Sequence, residues 1–126
     1  MISAGEVIVS RLANATAAAG RIYPAILPQN PTYPAITYQE ISSVRTHAMG
    51  QDGPMTRVRA QVNVWATSHA EARAVANQVA NSLSRYWATI GATRVLDVLL
   101  DNDMTFYESE TQTRRVTQDY TLFLTT

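Results

Sequence analysis

Residues 56–66 alternate between apolar and polar side chains, which is the clearest strand pattern in the chain. Such an alternation places successive side chains on opposite faces of a sheet. We expect one set to face the core and the other to lie on the opposite face, where it ends in an aromatic residue. The expected core set is Val58, Ala60, Val62, Val64 and Ala66, and the opposite set is Arg57, Arg59, Gln61, Asn63 and Trp65.

Residues 3–19 and 68–90 have the apolar spacing of amphipathic helices. Each begins with a serine followed three positions later by a glutamate, the spacing of a capping box, and each is followed by a glycine that can end a helix. These patterns predict two helices, each with an apolar stripe that packs on a sheet. The expected stripes are Ile8, Leu12, Ala15 and Ala19 in the first helix and Ala72, Val75, Ala76, Val79, Ala80, Leu83, Trp87 and Ile90 in the second.

Four further runs predict strands, at residues 35–44, 93–100, 104–108 and 112–124, the last with Val116, Tyr120, Leu122 and Leu124 on one face. Residues 101–103 are predicted to form a turn and residues 46–55 a long hairpin connection, because both carry turn-forming residues. The strands are joined mostly by hairpins. The sequence therefore predicts an α+β fold, with a largely antiparallel sheet of four to five strands and two helices packed on one face.

Three prolines, Pro28, Pro31 and Pro34, stiffen the segment that precedes the first predicted strand. Each proline fixes its own φ and biases the residue before it towards extended backbone. Residues 20–34 are therefore expected to form a stiff, extended arm that delivers the next strand in a fixed direction.

The length of 126 residues fits one domain with one core. We expect a single domain over residues 1–126, with the proline arm at 20–34 and the long hairpin at 46–55. The chain has no cysteine, which excludes disulfides and thiolate metal sites. It has no apolar window of transmembrane length and no secretory pattern at its start, so we expect a protein that folds in a cytoplasm, with no membrane contact.

All ten basic residues are arginine, and the formal net charge is zero. A neutral balance gives no support to a nucleic-acid or membrane partner. Arginine without lysine is typical of protein interfaces. A GC-rich coding sequence, which the many alanines also indicate, explains the composition equally well.

Residues of the kinds that carry catalysis are few. The chain has no cysteine nucleophile and no G-x-S-x-G motif. His69 falls in the first turn of the second helix, and His47 lies in the long hairpin as polar surface. Residues 101–103 lack the further ligands of a calcium loop, and Glu108 and Glu110 fit a solvated strand end. We therefore expect a protein that is not an enzyme, with no catalytic residue, no cofactor and no metal site.

Arg57, Arg59 and Trp65 share one face of the clearest strand. Basic and aromatic residues on a sheet face can bind nucleic acid by stacking. This strand face has a single aromatic residue, however, and the chain is not basic overall. Arginine and tryptophan are also enriched at the centres of protein interfaces, which favours contact with another protein.

Three segments in a fixed order give the chain a family resemblance. They are RIYPAILPQNPTYPAITYQEIS at 21–42, RVRAQVNVWATSHAEARAVANQV at 57–79 after a glycine-bearing hairpin, and YESET at 107–111 before the final strand. Together with the N-terminal helix, their order and spacing resemble the tail terminator, or tail completion, proteins of long-tailed bacteriophages and gene transfer agents. The resemblance covers about residues 2–124, nearly the whole chain.

The resemblance implies a structural virion protein. Such proteins form a ring, usually of six copies, on the head-proximal end of the tail tube, where the ring ends tube polymerisation and joins the tail to the neck of the head. The implied partners are other copies of the chain, the tail tube protein, a head–tail connector or neck protein, and double-stranded DNA that passes through the lumen without sequence-specific binding. The implied location is the neck-proximal end of the tail in the virion, and the host cytoplasm during assembly.

Two alternatives stay open. Head-completion or connector proteins of the neck are of similar size and also form rings, often of twelve copies, so copy number separates them from a tail terminator. A cytoplasmic α+β domain that binds nucleic acid on its open sheet face is the other alternative, and a steep salt dependence of DNA affinity would indicate it.

A ring requires two different patches on each subunit that meet head to tail. The proline arm is one candidate patch, since preset extended geometry lowers the entropy cost of binding. The long hairpin, with its adaptable methionines, is a candidate for reaching a neighbouring copy, the tube or the neck. The face with Arg57, Arg59 and Trp65 is a candidate for the other ring patch or for the lining of the lumen. The candidate interface residues are Pro28, Pro31, Tyr33, His47, Met49, Met55, Arg57, Arg59 and Trp65.

Overall fold

A computed structural model of the chain describes residues 3–13, 15–18, 20–48, 51–109 and 112–125, with the backbone alone at 46–48 and 51–54. Within these residues the chain forms two helices and one six-stranded sheet. The helices are α1 (Ala4–Leu12) and α2 (His69–Leu83), and the strands are β1 (Ile22–Pro24), β2 (Ala35–Ala48), β3 (Gln51–Ala66), β4 (Ala88–Ile90), β5 (Thr93–Glu108) and β6 (Thr113–Thr125).

The sheet has the strand order β1-β2-β3-β6-β5-β4 and is curled like half a barrel. Its neighbouring strands are antiparallel except β1 and β2, which are parallel. The predicted α+β class is confirmed, whereas the expected four to five largely antiparallel strands become six strands with one parallel pair. The additional strands β1 and β4 have three residues each. A strand that short gives no recognisable alternation in the sequence.

The core lies between the two helices and one face of the sheet. The alternation predicted for β3 is confirmed, because its apolar set is buried while Arg57 and Arg59 are exposed. Full burial of a valine or leucine side chain stabilises a fold by about 1.5–3 kcal/mol. The largest buried apolar side chains are Val7, Ile8, Leu12, Ile36, Val62, Val64, Val75, Leu83, Tyr120, Leu122 and Leu124.

Both helices begin at the predicted serine caps. The Ser3 hydroxyl accepts a hydrogen bond from the Glu6 N–H at 3.1 Å, and the Ser68 hydroxyl accepts one from the Glu71 N–H at 3.2 Å. Each cap satisfies a backbone donor that has no partner within its helix.

The first helix ends at Leu12 and not at residue 19 as predicted. The alanine-rich residues that follow form turns, and the Ala17 N–H donates to Gln78 Oε1 on α2 at 2.8 Å. Of the predicted stripe, Ile8 and Leu12 are buried, Ala15 is exposed, and Ala19 lies outside the described residues. Alanine favours a helix but adds little apolar area, so a tertiary hydrogen bond can compete with the helical one.

The second helix ends at Leu83, seven residues before the predicted end at 90. Arg85 has a φ of +61°, and its N–H donates to the Val98 carbonyl of β5 at 2.6 Å. This bond turns the chain towards the sheet edge, where it forms β4. Trp87 was expected in the helical stripe and is instead 76% exposed, and Ile90 lies half-buried in β4.

β5 is one continuous strand, Thr93–Glu108, and the turn predicted at 101–103 is absent. A β-bulge interrupts the register there and the strand continues. Asp101 accepts a hydrogen bond from the Thr121 hydroxyl on one face, and Asp103 pairs with Arg73 on the other. Side chains of turn-forming type thus find partners on both faces of a strand.

A polar network ties α2 to the sheet at its buried face. The Arg73 guanidinium donates to both Asp103 carboxylate oxygens, at 3.0 and 2.6 Å. The Gln118 amide donates to the Ala76 carbonyl at 3.1 Å, and the Tyr120 hydroxyl donates to Gln118 Oε1 at 2.7 Å. The hydrogen bond from Arg73 lowers the pKa of Asp103, and burial raises the pKa of Tyr120, so the phenol stays a neutral donor.

Candidate functional site

The face of the sheet turned away from α1 and α2, called the open face here, carries the polar set of β3. Register places each member beside a residue of β6 whose side chain lies on the same face. Arg57 and Arg59 lie near the middle of β3 and Trp65 lies at its end, so they do not form one compact cluster. The β6 residues of the open face are Arg115, Thr117, Asp119, Thr121 and Phe123.

Trp65 is held in a cluster with Arg115. The Arg115 guanidinium carbon lies 5.3 Å from the centre of the Trp65 ring and 4.7 Å from that of the Phe106 ring. Arg115 also pairs with Glu108 at 3.1 Å, and the Trp65 indole N–H donates to the Thr37 hydroxyl at 3.0 Å. The half-buried Trp65 ring is therefore engaged by a cation of the same chain, which reduces the ring surface available for stacking against bases, while Phe106 stays 39% exposed.

The centre of the open face satisfies its polar groups internally. The Thr117 hydroxyl donates to Asn63 Oδ1 at 2.7 Å, and both residues are buried. Beside them the Gln61 amide donates to Asp119 Oδ1 at 3.4 Å. Charges of both signs are interspersed on this face, the cations Arg57, Arg59 and Arg115 with the anions Asp101, Glu108 and Asp119. Such a face offers no concentrated positive potential to a polyanion.

The proline arm lies at the β1 edge of the sheet, next to β2. Arg21 ties its base, since the Arg21 Nε donates to the Pro34 carbonyl at 2.9 Å. Pro28 is exposed, and Pro31 and Tyr33 are half-buried. The arm is therefore anchored at its base and presents part of its length to solvent. It is not extended throughout as predicted, because Ala25 and Asn30 have positive φ and the chain bends there.

β2 and β3 form an antiparallel pair whose strands extend to Ala48 and from Gln51, so most of the span predicted as a long connection at 46–55 is strand. Met55 is half-buried on β3 and pairs with Thr125 of β6. His47 lies within β2, where its backbone position is opposite Asp52 of β3. Met49 lies outside the described residues.

The two most exposed large apolar side chains among the described residues were not among the predicted interface residues. Ile26 in the arm is 79% exposed, and Trp87 is 76% exposed at the opposite edge of the sheet. Trp87 borders a cavity of about 330 Å³, lined by Trp87, Ala88, Thr89, Arg94, Val95 and Leu96. Its spacing after Leu83 fitted a helical stripe, so no sequence signal marked it as surface.

The described part of the chain contains no group of three or more histidine, aspartate or glutamate side chains placed to hold a metal ion. None of the helices in the described ranges has the length and apolar character needed to cross a membrane.

The comparisons with known proteins give the chain its family. Residues 6–125 match the family described as "Tail completion protein gp17", so the chain belongs to that family. The expected resemblance to tail completion proteins is thereby confirmed. No curated protein sequence matches the chain.

A solved structure has the same fold. A chain of the "Virion of native gene transfer agent (GTA) particle" superposes with a TM-score of 0.79 at 13% sequence identity. The match covers 98% of this chain and 96% of that chain, so the similarity extends over the whole described fold.

Proposed function

We propose that this chain is a structural virion protein that forms a ring of six copies on the head-proximal end of a phage-type tail tube. The ring ends tube polymerisation and joins the tail to a neck or connector protein of the head. The observation that carries the proposal is membership of the tail completion family over residues 6–125. The fold shared with a chain of a gene transfer agent particle supports it.

The proposed mechanism is assembly by complementary surfaces, with no bond made or broken and no cofactor. The proline arm at one edge of the sheet, with Pro28, Pro31 and Tyr33, is the proposed patch for a neighbouring copy, since its anchored base limits the entropy lost on binding. The hairpin with His47, Met49 and Met55 is proposed to reach the tube or the neck.

The open face is proposed to line the lumen. Polar groups at its centre are satisfied by one another, and charges of both signs lie along it. Double-stranded DNA would pass such a surface without sequence-specific binding, because no row of basic side chains holds the phosphates. Arg57 and Arg59 would be screened by the neighbouring carboxylates, and Trp65 would stay under Arg115.

The neck-connector alternative differs in copy number, with rings of about twelve expected for that class. The nucleic-acid-binding alternative needs accessible aromatic rings on a basic face. The contacts of Arg115 with Trp65 and Phe106 give it no support.

Mass photometry of the purified protein, followed by negative-stain imaging with assembled tail tubes, tests the proposed function. A six-fold cap on one end of each tube is the expected result. A twelve-fold ring that ignores tubes would move the protein to the head side of the neck. A monomer that binds neither tubes nor neck protein would overturn both assignments.

A further inference from the structure

Two long strand edges are open in the described part of the sheet. β1 pairs only with residues 36–38 of β2, and no backbone hydrogen bond among the described residues reaches the outer side of 39–44. On the opposite side, β4 and Arg85 cover β5 as far as Val98 and leave 99–108 open. An open edge presents a row of N–H and C=O groups that can pair with another strand.

The two open edges belong to opposite sides of one sheet. A contact between them joins two different surfaces of identical chains, head to tail, which is the kind of contact that closes a ring. Neither 39–44 nor 99–108 contains lysine or proline, the residues that commonly prevent edge pairing. Both carry exposed apolar side chains, Ile41 and Val44 on β2 and Met104, Phe106 and Tyr107 on β5.

Strand direction favours the same contact. β2, β3, β6 and β5 are joined by three antiparallel ladders, so β2 and β5 run in opposite directions. Rotation about a ring axis does not change the direction of a strand along that axis. β5 of one copy and β2 of the next therefore meet antiparallel, and the alternation continues from copy to copy.

The heights of the two open edges also agree. Register across the sheet places Gln39 level with Asn102, and Ser42 level with Leu99. Both strands carry a β-bulge in this open region, β2 between Glu40 and Ser42 and β5 between Leu100 and Asn102, so both edges bend at the same height. β1 pairs with β2 at one end of the sheet and β4 pairs with β5 at the other end, so both edges are open in the region between them.

We infer that β5 of one copy pairs antiparallel with β2 of the next, so that the sheets of the ring are continuous. This inference rests on the proposed ring and specifies its subunit contact. Hydrogen bonds within the chain show which backbone groups of β2 and β5 point outward, away from the rest of the sheet. The Tyr38 carbonyl accepts from Ala25 and the Val98 carbonyl from Arg85. Two residues further along each strand, Glu40 of β2 and Leu100 of β5 point their N–H groups outward, and register across the sheet places these two residues level with each other.

Proline at either position removes an outward N–H and leaves the internal ladder intact. Glu40→Pro destroys the β2 edge and keeps the β5 edge, whereas Leu100→Pro does the reverse. Each variant alone is expected to be monomeric, while an equimolar mixture forms a one-to-one dimer and no ring. The matched controls Glu40→Ala and Leu100→Ala lose the same side chains but keep the N–H, and should form rings like the wild type.

Mass photometry and sedimentation of the four variants and the mixture distinguish the outcomes. The mixed dimer also shows that both proline variants are folded. Rings from both proline variants, or monomers in the mixture, would overturn the edge pairing. The proposed function would still stand in that case, provided that the wild type forms rings. A wild type that forms no ring alone or on tubes would overturn both.

Discussion

Arg115 of β6 places its guanidinium over the ring of Trp65 on the neighbouring strand β3, 5.3 Å from the ring centre. The same guanidinium lies 4.7 Å from the ring centre of Phe106 and pairs with Glu108. The aromatic residue that made the open face resemble a stacking platform is therefore already engaged within the chain.

Arg115→Ala should release Trp65. In a Trp87→Phe background, Trp65 is the only tryptophan, and we expect acrylamide to quench its fluorescence more strongly. We also expect the free energy of unfolding to fall by about 0.5–1 kcal/mol. Arg114→Ala is the matched control, because Arg114 lies over Tyr107, 4.1 Å from its ring centre, and not over Trp65. Unchanged quenching in Arg115→Ala would contradict the cluster.

The wild-type chain should show no saturable binding to a single-stranded oligonucleotide at low salt, since Trp65 is engaged by Arg115 and the charges of the open face are mixed. Fluorescence anisotropy measures this directly. Arg57→Gln with Arg59→Gln should leave the signal at the same baseline. Tight binding that weakens steeply with salt would instead support the nucleic-acid alternative.

Asp103 should couple to Arg73 in a pH-dependent way. The pKa of Asp103 is lowered in the folded state, first by its hydrogen bond with Arg73. The stabilisation is therefore present above the unfolded pKa of about 3.9 and is lost as the pH falls through the lower folded value. A double-mutant cycle with Arg73→Met and Asp103→Asn should give about 0.5–1 kcal/mol of coupling at neutral pH, a modest value because both groups are partly exposed.

Chemical denaturation of the four proteins of this cycle at about pH 7 and about pH 3 provides the measurement. The coupling should shrink at the lower pH. Equal coupling at both values would show that the carboxylate charge of Asp103 does not carry the interaction.

Leu83 and Trp87, which the sequence placed on one helical stripe, should respond very differently to truncation. Leu83→Ala removes a buried side chain and should cost about 2–5 kcal/mol. Trp87→Ala, at the exposed sheet edge, should change the free energy of unfolding by less than about 0.5 kcal/mol. Similar losses of stability for the two variants in thermal or denaturant melts would instead support the longer helix predicted over residues 68–90.

Replacing Pro28 and Pro31 together with alanine should weaken ring formation more than monomer folding. The prolines restrict the arm before binding, so their loss raises the entropy cost of the contact. Gln29→Ala, in the same exposed segment, should leave both properties unchanged. Parallel losses of ring mass in sedimentation and of melting temperature would assign the prolines to folding alone.

Most of the fold follows from local pattern. The alternation of β3 and the serine caps of both helices are visible in the sequence and are found in the structure. The early end of α2 depends on a hydrogen bond from Arg85 to Val98, and the continuity of β5 depends on partners for Asp101 and Asp103. Contacts between residues distant in the chain decide these features, and no local periodicity records them.

In the candidate interface, too, some features follow from local sequence pattern and others depend on contacts between distant residues. Trp65 and the arginines of β3 could be assigned to one face from their spacing, but the engagement of Trp65 by Arg115 required the β3–β6 register. The open edges at 39–44 and 99–108 are properties of strand order, so they appear only once the sheet is assembled.

Growth of tail tubes in the presence of the purified chain tests most directly whether this protein ends tube polymerisation. Tube protein is polymerised with increasing amounts of the chain, and tube lengths and ends are measured by negative-stain imaging. We predict shorter tubes, each with a six-fold cap at one end, and no growth from capped ends when more tube protein is added. Tubes of unchanged length that keep growing from both ends, with no ring attached, would contradict the proposed function.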